Sequence, residues 1–120
     1  MCIRDRSWGG WLAPLVLGVE PRFKAGIIIA GGLMSRCRSL PDADGLNFAP
    51  RVKAPVLMLH GRYDVAVPWE TEGKPLYDLL GTAAPDKVLR LYDTDHFISR
   101  KDLIQESLAW LDKHLGPVRR

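Results

Sequence analysis

No apolar run in these 120 residues approaches the roughly 20 that a helix needs to cross a bilayer, so the sequence gives no reason to expect a membrane partner. Cysteine is scarce. Cys2 and Cys37 are the two present, too few for a disulfide framework. Charge of one sign is also missing, because 17 Lys and Arg stand against 14 Asp and Glu and the basic residues are scattered among acids. No nucleic-acid partner follows from that pattern, and the terminal Arg119-Arg120 pair reads as a solvated tail. There are no internal repeats or low-complexity tracts. No signal peptide is visible, which leaves a cytoplasmic location as the expectation. What remains, 47% hydrophobic and 26% charged, is the composition of a globular piece no larger than one domain.

The first six residues, Met1-Cys2-Ile3-Arg4-Asp5-Arg6, resemble the translation of a transposon-end adapter (ATG TGT ATA AGA GAC AG). Residues 1–6 are therefore expected to be a non-native leader and are set aside in reasoning about the fold. Without Arg4, Asp5 and Arg6 the net charge of +3 becomes +2, and Cys37 is left as a lone cysteine.

From Trp8 onward, Trp8, Trp11, Leu12 and Leu15 recur at helical spacing up to a stop at Gly18-Val19-Glu20-Pro21. This predicts a buried first helix whose regular part starts late or kinks near Pro14. Ala25–Ala30 and Pro55–Gly61 are short, uninterrupted apolar runs ending at glycine, as expected for interior strands of a parallel sheet. Lys87–Tyr92 has a more mixed pattern and reads as a strand nearer the edge. Residues 33–51 form a long irregular stretch placed at the rim of a site. Pro68–Leu80 reads as a helix kinked at Pro75 and stopped by Gly81, with Leu76, Leu79 and Leu80 inward. In the last helix Ile104, Leu108, Leu111 and Leu115 repeat at four, three and four, widened by Leu103 and Trp110. Ser99 with Asp102 imitates a capping box there, and Gly116-Pro117 ends the helix. Strands alternating with helices predict an α/β fold, a parallel sheet flanked by helices.

Three residues with catalytic chemistry fall just beyond predicted strand ends or before a helix: Ser7, Asp64 and His96. Singly, each has an ordinary reading, Ser7 as a helix cap, Asp64 as a turn former and His96 as a loop imidazole. Together they share the edge of a parallel sheet where ligands and reactive groups gather. An imidazole there can take a serine's proton, and a carboxylate can hold the ring in the right tautomer and stabilise its charged form. His60, at a strand's last turn, reads as structural, and His114 as a partner of a helix's negative end. Asp93 and Asp95 flank His96 too closely to reach its far nitrogen easily. A metal site from His60, Asp64 and His96 matches no familiar ligand spacing, and no metal or cofactor is expected.

Pro55-Val56-Leu57-Met58-Leu59-His60-Gly61-Arg62-Tyr63-Asp64, then Val67-Pro68, then His96 before the closing helix, resembles the prolyl oligopeptidase and dienelactone hydrolase branches of the α/β-hydrolase superfamily. The similarity looks closest to bacterial esterase-like domains and covers nearly everything from Ser7 to Val118. It implies that residues 7–118 are the carboxy-terminal half of one α/β-hydrolase catalytic domain, with residues 119–120 a tail. It implies Ser7 as nucleophile, His96 as base and later acid, Asp64 as its orienting partner, and the backbone N–H of Trp8 as one oxyanion donor. Asp5 stands where the superfamily's motif has its first glycine. The activity implied is serine hydrolysis of a small ester or peptide substrate through an acyl-enzyme, with carboxylic esters favoured over peptide bonds. A non-catalytic hydrolase-fold binding or regulatory module is the alternative.

Overall fold

The computed structural model describes residues 1–37 and 39–117; the Arg119-Arg120 tail lies outside the described residues. Four strands, β1 (Cys2–Arg6), β2 (Ala25–Ile29), β3 (Val56–Gly61) and β4 (Lys87–Tyr92), pair in parallel in the order in which the chain makes them. Four helices accompany them: α1 (Trp8–Val19), the short α2 (Gly45–Phe48), α3 (Lys74–Leu79) and α4 (Arg100–Leu115). Because every strand runs the same way, all four carboxyl ends emerge along one rim. Ser7 follows β1, Asp64 follows β3 and His96 follows β4.

The apolar runs of β2 and β3 are buried along their whole lengths, as two-sided strands must be. Their side chains alternate between two cores. Ile28, Val56 and Met58 pack with Ala13 and Leu17 of α1 and with Leu76 of α3, whereas Ile27, Ile29, Leu57 and Leu59 pack with Ile98 and Trp110 beside or within α4. Fully burying one such side chain contributes about 1.5 to 3 kcal/mol, so these two layers hold the sheet. β4 takes the edge, half-buried except at the exposed Arg90, as its mixed sequence predicts.

Several local expectations need correction. Residues 2–6, for which the sequence gives no strand expectation, form the strand that precedes Ser7, pairing Cys2 to Ala25 through Arg6 to Ile29. Parallel pairing uses main-chain groups, which any residue except proline offers, so Cys-Ile-Arg-Asp-Arg can lie on an edge despite its poor strand pattern. In α1, Ala13, Pro14 and Leu17 are buried, but Trp8 and Leu12 are exposed. Helix α4 turns Leu103, Ser107, Trp110 and Leu111 toward the sheet. Ile104, Leu108 and Leu115 lie exposed on a face rotated by about one residue, because the apolar stripe is wider than the surface it meets and bulky Trp110 chooses the side. The Ser99 cap holds: its Oγ accepts from Asp102 N–H at 3.1 Å and donates to the Asp102 carboxylate at 2.7 Å. The helix expected over 68–80 opens as a wide π-type turn, Trp69–Gly73, before α3, so Pro75 falls in the first turn of α3, where no N–H is needed, and makes no mid-helix kink. Leu76 and Leu80 are buried there; Leu79 is exposed. The stretch 33–51 is not wholly irregular, since it contains α2 and two single 3₁₀ turns, at Pro41–Ala43 and Ala49–Arg51.

Gly61 fixes how the rim closes. The segment after β3 pairs with the segment after β4, Arg62 N–H to Tyr92 O at 2.7 Å and Tyr63 N–H to Thr94 O at 3.0 Å. This brings the 93–96 backbone down onto Gly61, where an added Cβ would collide with the Asp95 carbonyl oxygen and sit 2.7 Å from that of Thr94. Both obstacles are backbone and cannot swing away. Gly61→Ala is expected to destabilise the protein by about 1 to 3 kcal/mol, the usual cost of overpacking. Gly45→Ala, whose Cβ would meet nothing closer than 3.5 Å, should change stability by less than about 0.5 kcal/mol. Denaturant unfolding of the two variants in the full-length protein checks the difference.

Candidate active site

Asp64 is built into the turn after β3. Its side chain is fully buried, and Oδ1 accepts the N–H groups of Ala66 at 2.9 Å and Val67 at 2.8 Å. Oδ2 faces His96 Nδ1 at 2.7 Å. With Oδ1 occupied by two donors and Oδ2 against the ring, the network assigns the imidazole proton to Nδ1. Nε2 of His96 then carries a lone pair and has no hydrogen bond among the described residues. Asp93 and Asp95 go elsewhere: Asp93 pairs with Arg62 at 2.8 Å, and Asp95 accepts the Phe97 N–H at 2.7 Å, which shapes the loop that presents His96.

Ser7 sits between β1 and α1 with φ 54° and ψ −114°, a left-handed conformation that a residue with a side chain adopts only at a cost. Its backbone is tied on both sides, N–H to Ile29 O at 2.9 Å and O to the Trp11 N–H at 3.0 Å. The hydroxyl caps nothing, so the helix-cap explanation of this serine does not hold. It makes no hydrogen bond to His96 among the described residues. Contact between the two strand ends runs through their neighbours: the Arg6 guanidinium lies 4.4 Å from the centre of the Phe97 ring, and that ring meets the His96 imidazole edge-on at 5.6 Å. Asp5 is accommodated because Gly9 has no side chain; a Cβ there would collide with the Asp5 carboxylate. Gly10 serves the same turn, letting α1 approach Gly31, whose Cα would lie 2.8 Å from an added Cβ.

Trp8 opens α1, so its N–H belongs to the first turn, where helix donors have no intrahelical partner. The Trp8 side chain is exposed and meets Trp11 edge-on at 5.5 Å. A pocket of about 320 Å³ lies along this helix, walled by Trp8, Trp11, Leu12, Leu33 and Met34. The 33–37 segment is pinned to the rim by a buried carboxylate that the sequence did not single out: Glu72 accepts from Trp11 Nε1 at 3.2 Å and Ser35 Oγ at 3.0 Å. His60 is buried beside Asp64, and burial pushes its pKa below the ordinary 6.5 despite the Val67 carbonyl and Asp64, which act the other way. His114 lies at the far end of α4, its pKa also lowered by burial and by Lys113. Among the described residues no group of three or more His, Cys, Asp or Glu is arranged to hold a metal ion, and no helix is long and apolar enough to cross a membrane.

A depressed His60 pKa has a definite sign in stability. Between the folded pKa and 6.5 the unfolded chain binds the proton that the folded one refuses, so stability is complete above about pH 6.5 and is lost as pH falls through the folded pKa. One histidine limits the slope to about 1.4 kcal/mol per pH unit. Unfolding of the full-length protein measured from pH 7.5 to 5 should show this loss, and the difference between wild type and His60→Gln should isolate the His60 share from that of His114.

Compared as sequence, the chain matches no family model and no curated protein. Compared as structure, it is similar to a cold-adapted esterase from an Arctic intertidal metagenomic library, with a TM-score of 0.78 and 23% identity over 93% of this chain and 48% of that one. A candidate dienelactone hydrolase from Klebsiella pneumoniae superposes with a TM-score of 0.75 and 25% identity over 93% of this chain and 51% of the other. Dipeptidyl peptidase 4 of Porphyromonas gingivalis gives 0.75 and 17%, over 94% of this chain and 19% of the peptidase. The chain spans about half the length of the esterase and of the dienelactone hydrolase candidate. Parallel strands in this order, flanked by these helices, give the chain the α/β-hydrolase fold.

Proposed function

We propose that this chain is the carboxy-terminal part of a longer serine hydrolase that cleaves carboxylic esters through Ser7, Asp64 and His96. The observation that carries the reading is the 2.7 Å Asp64–His96 pair, on the same rim as a serine held at positive φ whose hydroxyl is otherwise unused. In the proposed reaction Ser7 Oγ attacks the ester carbonyl carbon while His96 Nε2 takes its proton. Asp64 holds the ring by Nδ1 and stabilises the imidazolium. The tetrahedral oxyanion is met by the Trp8 N–H at the start of α1, with a second donor from an upstream loop of the parent. Collapse expels the alcohol with the proton from His96, and water, deprotonated by His96, then releases the acid and frees Ser7.

Esters are favoured over peptide bonds by the likeness to an esterase and to a dienelactone hydrolase candidate. Likeness to a dipeptidyl peptidase keeps a peptide substrate as the second reading. A hydrolase-fold module without turnover is the third, and the missing Ser7–His96 hydrogen bond is the observation on its side. Such bonds are often long without ligand and tighten when substrate arrives, which leaves the catalytic reading ahead.

A fluorophosphonate probe should label the full-length parent once, at Ser7, and Ser7→Ala should abolish labelling while the protein stays folded. Stoichiometric labelling at any other residue, found by peptide mapping, would overturn the assignment. Asp64→Asn should lower kcat by about 10³ to 10⁴, since the amide favours the wrong imidazole tautomer.

The 120 residues alone are expected to be inactive toward a generic activated ester and prone to aggregate. Loss of one oxyanion donor costs about 10² to 10³ in rate. The outer edge of β1 pairs with no strand among the described residues, which leaves main-chain groups open to other chains. A soluble monomer with cooperative unfolding and Ser7-dependent turnover would refute this expectation.

A further inference from the structure

The end of β3 carries a second imidazole for which the proposed reaction has no use. His60 is fully buried, with its Nε2 2.9 Å from the Val67 carbonyl oxygen. A carbonyl can only accept, so Nε2 holds the ring's proton, and Nδ1 is left as a buried lone pair with no partner among the described residues. The ring has a shaped seat. Trp69 lies 5.3 Å from it, and Gly73 comes so close that a Cβ would be 2.8 Å from His60 Cε1. Asp64, His96 and Glu72 are the titratable groups that act on it, with Asp64 Oδ2 3.9 Å from Nε2.

An apolar side chain of similar size would fill this seat and remove the unpartnered Nδ1, but it would leave the buried Val67 carbonyl without its donor. What the imidazole adds is one N–H, and that N–H is aimed at Val67. The same residue gives its own N–H to Asp64 Oδ1 at 2.8 Å. Val67 is thereby held from both sides, its carbonyl by His60 and its amide by the carboxyl group. Because Nε2 spends its proton on the carbonyl, Asp64 Oδ2 is left to His96 alone at 2.7 Å.

We propose that His60 is a positioning residue for Asp64: its Nε2–H fixes the Val67 carbonyl, the fixed turn keeps the Ala66 and Val67 amides on Oδ1, and Oδ2 is thereby aimed at His96. This rests on reading Asp64 and His96 as partners in the hydrolytic reaction, but the positioning itself can be observed without turnover. Such indirect supports are typical of sites whose reactive groups must be held to within a fraction of an ångström.

The test compares wild type, His60→Phe, His60→Met and His60→Gln in the full-length parent. Two readouts are taken: kcat and KM on an activated ester, and the NMR resonance of the His96 Nδ1 proton bound to Asp64. His60→Phe and His60→Met are expected to lower kcat about tenfold or more with KM nearly unchanged, and to broaden or shift the proton resonance. His60→Gln, whose amide N–H can reach the Val67 carbonyl, should recover most of both. A folded apolar variant that keeps kcat and the resonance would overturn the proposal, as would a folded glutamine variant no better than the apolar ones. Two apolar variants are used so that one that does not fold leaves the comparison intact. If the parent shows no Ser7-dependent turnover, the hydrolase reading fails, and the resonance alone still decides whether His60 positions Asp64.

Discussion

A carboxyl group sealed from water has to be given back the hydrogen bonds that water supplied, and the rim of this sheet is organised around doing so for Asp64. An acidic group buried without partners is among the costlier things a protein can contain. Here two backbone amides of its own turn and one imidazole take the place of the solvent. Each of these donors needs support in turn. The amides need a turn of fixed shape, which the end of β3 provides, and the imidazole needs the 93–96 loop, which can descend only because position 61 has no side chain.

The serine side of the rim follows another logic. Ser7 is held in a left-handed conformation by hydrogen bonds to Ile29 and Trp11, that is, by β2 and by the first turn of α1. Strain of this kind persists only where the surroundings over-determine it. It also explains the small residues nearby: Gly9 makes room for Asp5, and Gly10 makes room for Gly31. A turn this tight tolerates bulk on one side only.

Much of this was legible in the sequence, for identifiable reasons. β2, β3 and β4 declared themselves because burial on two faces demands unbroken apolar runs, and an edge position relaxes that demand. The Asp64–His96 juxtaposition was legible because both residues follow strand ends, and strand ends in a parallel sheet share a rim. β1 was not legible: Ile3 is its one hydrophobic residue packed against the core, and its pairing with β2 is made by main-chain groups, which leave no trace in side-chain pattern. Nor was the inner face of α4, because periodicity gives the angle of a stripe and not which part of a wide one meets the sheet. The support behind Asp64 was hidden as well. Val67 N–H, Val67 O and His60 Nε2 form a relay of backbone and ring atoms that only coordinates can reveal, and the same holds for Glu72 beneath Trp11 and Ser35.

The strand order has a consequence for how the molecule comes into being. Each strand pairs with the one made just before it, so the sheet can grow by addition at a single edge as the chain lengthens, without any late strand having to insert between earlier ones. The reactive rim does not share that ease. Asp64 is in place once β3 and its turn exist, but His96 arrives 32 residues later, after β4 has docked. Until then the carboxyl group has its two amides and no imidazole. The Asp64–His96 pair is therefore the last part of the site that the growing chain can complete.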